Sequence, residues 1–238
     1  MKIAILGYGR MGKQIEEILL QRNHEVVLKI NEDNLKDFTP KAIAKADVAI
    51  EFSNPDAAFD NIISCFRAGV PVVSGTTGWL DRKPEAETLC KENDTAFIYA
   101  SNFSLGVNLF FHLNRQLAQL MNNYPGYDVQ LQEIHHTKKL DAPSGTAITL
   151  AEDLLTHLDR KQKWVKQPTD DDAIPVRSER IGDVPGIHEI TYESEFDKIH
   201  IKHEAKSRKG FAFGAVLAAE FITNKKGIYT MEDVLSIG

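Results

Sequence analysis

Between Glu133 and Ala147 the chain reads Glu-Ile-His-His-Thr-Lys-Lys-Leu-Asp-Ala-Pro-Ser-Gly-Thr-Ala, and its most reactive side chains crowd into that stretch. His135 and His136 set two imidazoles side by side, and either can give or take a proton near neutral pH. Lys138 or Lys139 adds a full positive charge close by. Pro143-Ser144-Gly145-Thr146 then reads as a helix start, where unpaired backbone N–H groups and the positive end of the dipole suit an anion. Together these residues suit a pocket for a carboxylate or phosphate with an acid/base beside it. A strand-to-helix connection with a solvated charge cluster has the same composition, so the motif depends on its context.

The flanking elements supply part of that context. Ala147, Ile148, Ala151, Leu154, Leu155 and Leu158 recur at helical spacing, which predicts a helix from about Ser144 to Leu158. Val129 to Ile134 reads as the strand that delivers the motif, and on a strand adjacent histidines point to opposite faces. Before it, Leu109, Phe110, Leu113, Leu117 and Leu120 describe a longer helix, closed by Tyr124-Pro125-Gly126. Beyond the motif, residues 162–172 are polar and read as an exposed loop. Ile187 to Tyr192 and Lys198 to Glu204 read as antiparallel strands joined by a turn near Glu195 to Asp197. Phe213, Val216, Leu217, Glu220 and Phe221 suggest a last helix. His200 and His203 would face opposite sides of their strand, and His135 and His136 lack an obvious third ligand, so no metal is expected.

The first hundred residues have a different pattern. The apolar run Lys2 to Leu6 suits a buried parallel strand and ends in Gly7-Tyr8-Gly9-Arg10-Met11-Gly12, which fits G-x-G-x-x-G. Met11, Ile15, Ile18 and Leu19 mark a helix face, and Glu25 to Ile30 supplies a second strand. That is the strand, glycine turn, helix and strand of a dinucleotide fold, with the glycines serving the tight turn, the approach to a pyrophosphate and helix–strand packing. After the second strand come Asn31, Glu32 and Asp33; the two carboxylates would repel a 2′-phosphate, while Lys29 points the other way, and the lean is toward NADH. Asp47 to Phe52, the run from Gly69 to Val73, and Ala96 to Ala100 continue as strands, with a helix bearing Phe59, Ile62, Ile63 and Phe66 among them. Two of these strands lead into Ser74-Gly75-Thr76-Thr77-Gly78 and Ser101-Asn102-Phe103-Ser104-Leu105-Gly106, loops whose small and hydroxyl residues suit a ligand near the backbone. Alternating strands and helices give an α/β class.

Composition excludes several other readings. With 238 residues, 42% hydrophobic and 26% charged, the chain has the make-up of a soluble globular protein large enough for one or two domains. A net charge of −6 argues against a nucleic-acid partner that grips a broad basic surface. The two cysteines, Cys65 and Cys90, point to a reducing compartment rather than a disulfide scaffold. Met1 leads straight into the first strand without a signal-peptide pattern, and no run approaches the roughly 20 apolar residues of a membrane span. A cytoplasmic location without membrane contact is expected.

Four stretches coincide in one order: Gly7 to Gly12, Gly75 to Gly78, Ala100 to Asn108, and Glu133 to Ala147. With Arg208-Lys209-Gly210-Phe211-Ala212-Phe213-Gly214-Ala215 near the end, they resemble the dihydrodipicolinate reductase family over nearly the whole chain. The resemblance implies NAD(P)H-dependent reduction of a cyclic imine with two carboxylates, in lysine and diaminopimelate synthesis. It places His135 and Lys139 at the catalytic positions and His136, Gly145 and Thr146 at the substrate positions. The cofactor would lie along Gly7, Tyr8, Gly9, Arg10, Met11 and Gly12, with Gly75, Thr76, Thr77, Ala100, Ser101, Asn102 and Phe103 toward the nicotinamide. Asn31 stands near the place where many relatives carry a basic residue, which leaves NADH and NADPH both open. The family further implies a Rossmann-like parallel-sheet domain of residues 1–104 with 209–238, and a central α+β substrate and oligomerisation domain of residues 105–208. A homotetramer, and closure of the two domains over the ligands, are expected on the same grounds. Another dehydrogenase on this fold would have no need of the His-His-x-x-Lys and Ser-Gly-Thr run, and a nucleotide sensor would have no use for a proton donor.

Overall fold

The computed structural model describes residues 1–167, 170–207 and 209–237. Pro168 and Thr169, in the stretch expected as a polar loop, and Arg208, which opens the Arg-Lys-Gly-Phe motif, lie outside the described residues, as does Gly238. In chain order come β1 (Lys2–Leu6), α1 (Arg10–Gln21), β2 (Glu25–Ile30), α2 (Pro40–Ile43), β3 (Val48–Glu51), α3 (Pro55–Arg67), β4 (Val72–Ser74), α4 (Lys83–Glu92) and β5 (Ala96–Tyr99). Then follow α5 (Leu105–Met121), β6 (Asp128–His135), α6 (Gly145–His157), β7 (Lys163–Val165), β8 (Ala173–Arg180), β9 (Ile187–Glu193) and β10 (Lys198–Glu204). The described chain closes with α7 (Lys209–Ile222), β11 (Gly227–Tyr229) and α8 (Met231–Leu235). Two compact units result, Met1–Leu105 with Lys209–Gly238, and Gly106–Arg208.

The first unit is a six-stranded parallel sheet in the order β11-β5-β4-β3-β1-β2. A parallel sheet must be covered on both faces, and β1 is accordingly apolar and buried from Ile3 to Leu6. Ile3 and Ile5 enter one core with Ile15 and Leu19 of α1 and Ala215, Val216 and Ile222 of α7. Ala4 and Leu6 enter the other, with Phe59, Ile62 and Phe66 of α3 and Phe97 of β5. The expected strands and the Phe59–Phe66 helix face are present. The expected last helix is present as α7, but its buried side is mainly Ala212, Ala215, Val216, Ala218, Ala219 and Ile222. It is also not the last element. β11 and α8 follow it, and segments of three and five residues are too short to carry a readable period. Helix α4, between the fourth and fifth strands, was likewise not foreseen from the sequence.

The second unit is a mixed sheet in the order β10-β9-β6-β8-β7, packed against α5 and α6. β10, β9 and β6 run antiparallel, whereas β8 and β7 join in parallel. Along β6 every second residue is buried, Val129, Leu131, Glu133 and His135, as the strand period of two requires. Two expectations need correction here. Residues 163–165 of the expected loop form β7, and Lys161 beside it is buried, its ammonium held by the carbonyls of Asp171 and Ala173 and by Asp128. In α5 the core side is Val107, Phe110, Asn114, Ala118 and Met121, while Leu109, Leu113 and Leu120 are about half exposed. That helix is apolar on most of its circumference, so periodicity alone does not choose the buried side. Among the described residues, no helix is long and apolar enough to cross a membrane.

Candidate active site

In the first unit the strand order changes direction at β1, which pairs with β2 on one side and β3 on the other. Such a switch point opens a crevice at the carboxyl ends of the strands. A cavity of ≈380 Å³ lies there, lined by Gly7, Tyr8, Gly9, Asn31, Glu32 and Asp33 among others. Gly7 has φ +94°, and a Cβ on it would lie 2.0 Å from the Phe52 carbonyl oxygen, so only glycine can make this turn. Gly9 is the N-cap of α1 and offers no side chain to cap it, which leaves the first turn suited to a pyrophosphate. These features fit a dinucleotide.

Several expected cofactor residues already have partners within this unit. The Tyr8 hydroxyl donates to Glu16, and Lys29 is held 3.0 Å from the same carboxylate with its ammonium over the Tyr8 ring. The Asn31 side chain accepts from the Asp33 amide and caps the short helix Glu32–Asp37. The Thr76 hydroxyl donates to Glu51, a fully buried carboxylate that also takes Ser53 and Ser74. Phe103 is buried against Phe52, and Asn102 accepts from the Ser104 amide. Arg10, Ser101 and Thr77 are exposed, Met11 and Ala100 pack at the edge of the core, and Gly12 lies under the Gly7 carbonyl. Gly75 lies against the Phe52 ring. Glu51 was missed from the sequence, where nothing separates it from any other acidic strand end.

The second unit gathers the reactive stretch around Glu133. Because β6 buries alternate residues, Glu133 and His135 end the core-facing row, and His135 Nδ1 hydrogen-bonds to Glu133 Oε2. Sheet register supplies the neighbours: His188 of β9 lies opposite Glu133, and Arg180 of β8 lies opposite His135. Arg180 donates to Glu133 Oε1 at 2.9 Å, and also to the carbonyls of Lys139 and Asp141. The Ser144 amide reaches Glu133 Oε1 at 3.3 Å, so the start of α6 rests on the same carboxylate. Burial alone would push the Glu133 carboxyl up, but hydrogen bonds from His135, Ser178 and Arg180 hold it down at about 2. The His188 ring stands edge-on to His135 with centroids 5.1 Å apart. Burial first, then the neighbouring charge of His135, pushes His188 down to about 3, so it stays neutral.

Of the other expected residues, Lys139 sits in the turn after β6 with its ammonium 2.9 Å from Asp141. The His136 carbonyl accepts the Lys139 amide. Ser144 is the N-cap of α6, its hydroxyl taking the Ala147 amide and meeting His188 Nε2 at 3.2 Å. Thr146 is therefore not the cap, and Gly145 and Thr146 form the first turn. Glu133, His135 and His188 lie close enough to share an ion, which corrects the expectation that no third ligand is at hand. Both Glu133 oxygens, His135 Nδ1 and His188 Nε2 are nevertheless engaged with protein partners. His188 and Arg180 could not be found from local sequence, because only strand register brings them to β6. Gly186 was missed too: a Cβ there would lie 3.1 Å from His135 Nε2, so any larger residue would crowd that nitrogen.

Comparison with known proteins bears on both units. The family model "Dihydrodipicolinate reductase, N-terminus" matches residues 1–103, and "Dihydrodipicolinate reductase, C-terminus" matches residues 106–235. A 4-hydroxy-tetrahydrodipicolinate reductase of Christiangramia forsetii is 55% identical, covering 99% of this chain and 98% of its own. One from Methanopyrus kandleri is 36% identical, covering 98% and 96%. Among solved structures, a dihydrodipicolinate reductase from Paenisporosarcina sp. TG-14 with dipicolinate bound has a TM-score of 0.78. It is 24% identical and covers 97% of each chain, a likeness of fold.

Proposed function

Because the chain belongs to the dihydrodipicolinate reductase family, we propose that the residues around Glu133 and the glycine turn at Gly7 divide its reaction between them. The activity is NAD(P)H-dependent reduction of 4-hydroxy-tetrahydrodipicolinate to tetrahydrodipicolinate, on the diaminopimelate route to lysine. When bound, the reduced nicotinamide supplies the hydride. Gly7 to Gly12 and the start of α1 hold the pyrophosphate, and Gly75 to Thr77 with Ala100 to Phe103 flank the nicotinamide, chiefly through backbone groups. Reduction of the conjugated imine builds electron density away from the hydride-accepting carbon. A cationic acid at that point lowers the barrier by stabilising charge and giving a proton. Lys139 is that acid, with His135 beside it to orient or share the proton and His136 against the substrate. The amides of Gly145 and Thr146 take a carboxylate. The observation that carries this reading is the chain of contacts from His135 through Glu133 to Ser144, which brings an imidazole and a helix start to one place. This reading assigns no step to a metal, and in it Glu133, His135 Nδ1 and His188 Nε2 serve protein partners. Turnover of freshly made dihydrodipicolinate synthase product with NADH or NADPH tests the whole assignment, and its absence would overturn it.

Thr146→Val keeps the side-chain shape and removes a hydroxyl. Loss of one hydrogen bond to a charged acceptor costs roughly 1.5–3 kcal/mol, so the substrate KM or kcat/KM is expected to change about ten-fold or more with dinucleotide binding unaltered. Ser144, not Thr146, takes the Ala147 amide as the helix cap. A lowered melting point with an unchanged KM would remove the carboxylate from this helix start.

Cofactor choice is expected to be tolerant or to favour NADH. Glu32 and Asp33 face the cavity, and Lys29 is already neutralised by Glu16. Comparing kcat/KM for the two nucleotides tests this directly. A preference for NADPH above ~100-fold, about 2.7 kcal/mol, would mean that a cation elsewhere reaches the 2′-phosphate. We also infer a homotetramer built through the second unit, supported by apolar side chains left exposed there, including Leu113, Leu120 and Phe196. A cytoplasmic location is inferred from the two buried, unpaired cysteines.

A further inference from the structure

The two oxygens of Glu133 serve different partners. Oε2 meets His135 Nδ1, while Oε1 receives Arg180 Nη2 and the Ser144 amide. Arg180 in turn holds the carbonyls of Lys139 and Asp141, the turn that carries the acid. The carboxylate is fully buried, and the imidazole it contacts is confined by the His188 ring on one side and by Gly186 in front of Nε2. A carboxylate only accepts, so His135 must present a proton at Nδ1. That leaves Nε2 as the nitrogen able to exchange a proton with whatever lies beyond Gly186.

We propose that Glu133 is a positioning residue of the reaction: it fixes the His135 tautomer with Nε2 outward and, through Arg180, sets the backbone of the turn bearing Lys139. The inference rests on the role of His135 in the reading above. It explains why one carboxylate is shared among an imidazole, a guanidinium, Ser178 and a helix start, when packing alone would need no charge in a core. Glu133 touches neither substrate nor cofactor in this scheme and acts through His135 and Arg180 alone.

Glu133→Gln is the informative variant because it keeps the shape. Arg180 and the Ser144 amide are donors and will hold the glutamine oxygen at the Oε1 position. The glutamine NH2 then faces His135 Nδ1, which must accept, and the imidazole proton moves to Nε2. Nitrogen-15 NMR of histidine-labelled protein should show neutral His135 protonated at Nδ1 in the parent and at Nε2 in the variant. kcat is expected to fall at least ~100-fold, with dinucleotide affinity and the dinucleotide KM unchanged. A purely structural role would lower the melting temperature without moving the tautomer or kcat. Nδ1 protonation retained in Glu133→Gln, or kcat within three-fold of the parent, would overturn the proposal. If the variant does not fold, the parent spectrum decides, since neutral His135 protonated at Nε2 excludes the arrangement. A parent that does not turn over the substrate would instead overturn the functional reading, which keeps the two failures distinct.

Discussion

Lys139→Ala is expected to lose turnover by a factor of at least ~100, the lower end of what a positioned acid contributes, while dinucleotide binding is retained. The structure separates chemistry from folding at this position. The Lys139 amide donates to the His136 carbonyl at 3.1 Å, and its own carbonyl accepts from Arg180 at 3.3 Å. The turn is thus held by backbone groups that alanine keeps. What the variant loses is the ammonium and its pairing with an exposed Asp141, and an exposed ion pair contributes little to stability. Steady-state rates with the substrate, paired with direct titration of NADH and NADPH, measure both halves of the prediction. Turnover within a few-fold of the parent, with nucleotide binding intact, would pass the role to His135 or Lys138.

Gly214→Ala is expected to damage the first unit more severely than its single added methyl suggests. A Cβ at this position would lie 1.7 Å from the Phe103 carbonyl oxygen, and that neighbour is backbone, with no side-chain rotation to relieve it. Either α7 must lift from the sheet or the segment at Phe103 must shift, so a loss of at least ~3 kcal/mol is expected, beyond ordinary overpacking. For a chain of this size that is roughly 6–12 °C in Tm. Nucleotide binding should weaken as well, because Ser101 and Asn102 immediately precede the displaced residue. Gly210→Ala is the control in the same helix, since its Cβ would meet only the Ser104 hydroxyl at 3.8 Å. A Gly214→Ala protein melting within 2 °C of the parent would show that the helix seats differently.

What could be read in the sequence was whatever repeats over a few residues. The glycine turn, the buried strands of the first unit and the helix after Ser144 all have local periods, and each appears where expected. The reactive stretch was legible in composition but not in connection. His135 was at hand, yet the strand was expected to stop at Ile134, and extending it by one residue is what sets His135 on the same face as Glu133. β8 carries Pro175 together with Arg177, Glu179 and Arg180, and so shows no apolar alternation to announce it. Without β8, Arg180 had no place in the site. His188 depends on a pairing of β6 with β9 across more than fifty residues, which no window of sequence contains. Lys29 illustrates the same limit at closer range: its type suggested a phosphate ligand, whereas Glu16, one helix earlier, already occupies it.

The place of α7 has a consequence for how the chain is made. One core of the first unit joins Ile3 and Ile5, near the start of the chain, to Ala215, Val216 and Ile222, near its end. Synthesis proceeds from the N-terminus, so β1 to β5 emerge from the ribosome with α1 on that face but without α7. The whole of the second unit is translated before the helix that covers them. The nascent protein therefore carries that sheet face only partly covered until α7 has been made, and the second unit, continuous in sequence, is the part equipped to fold first.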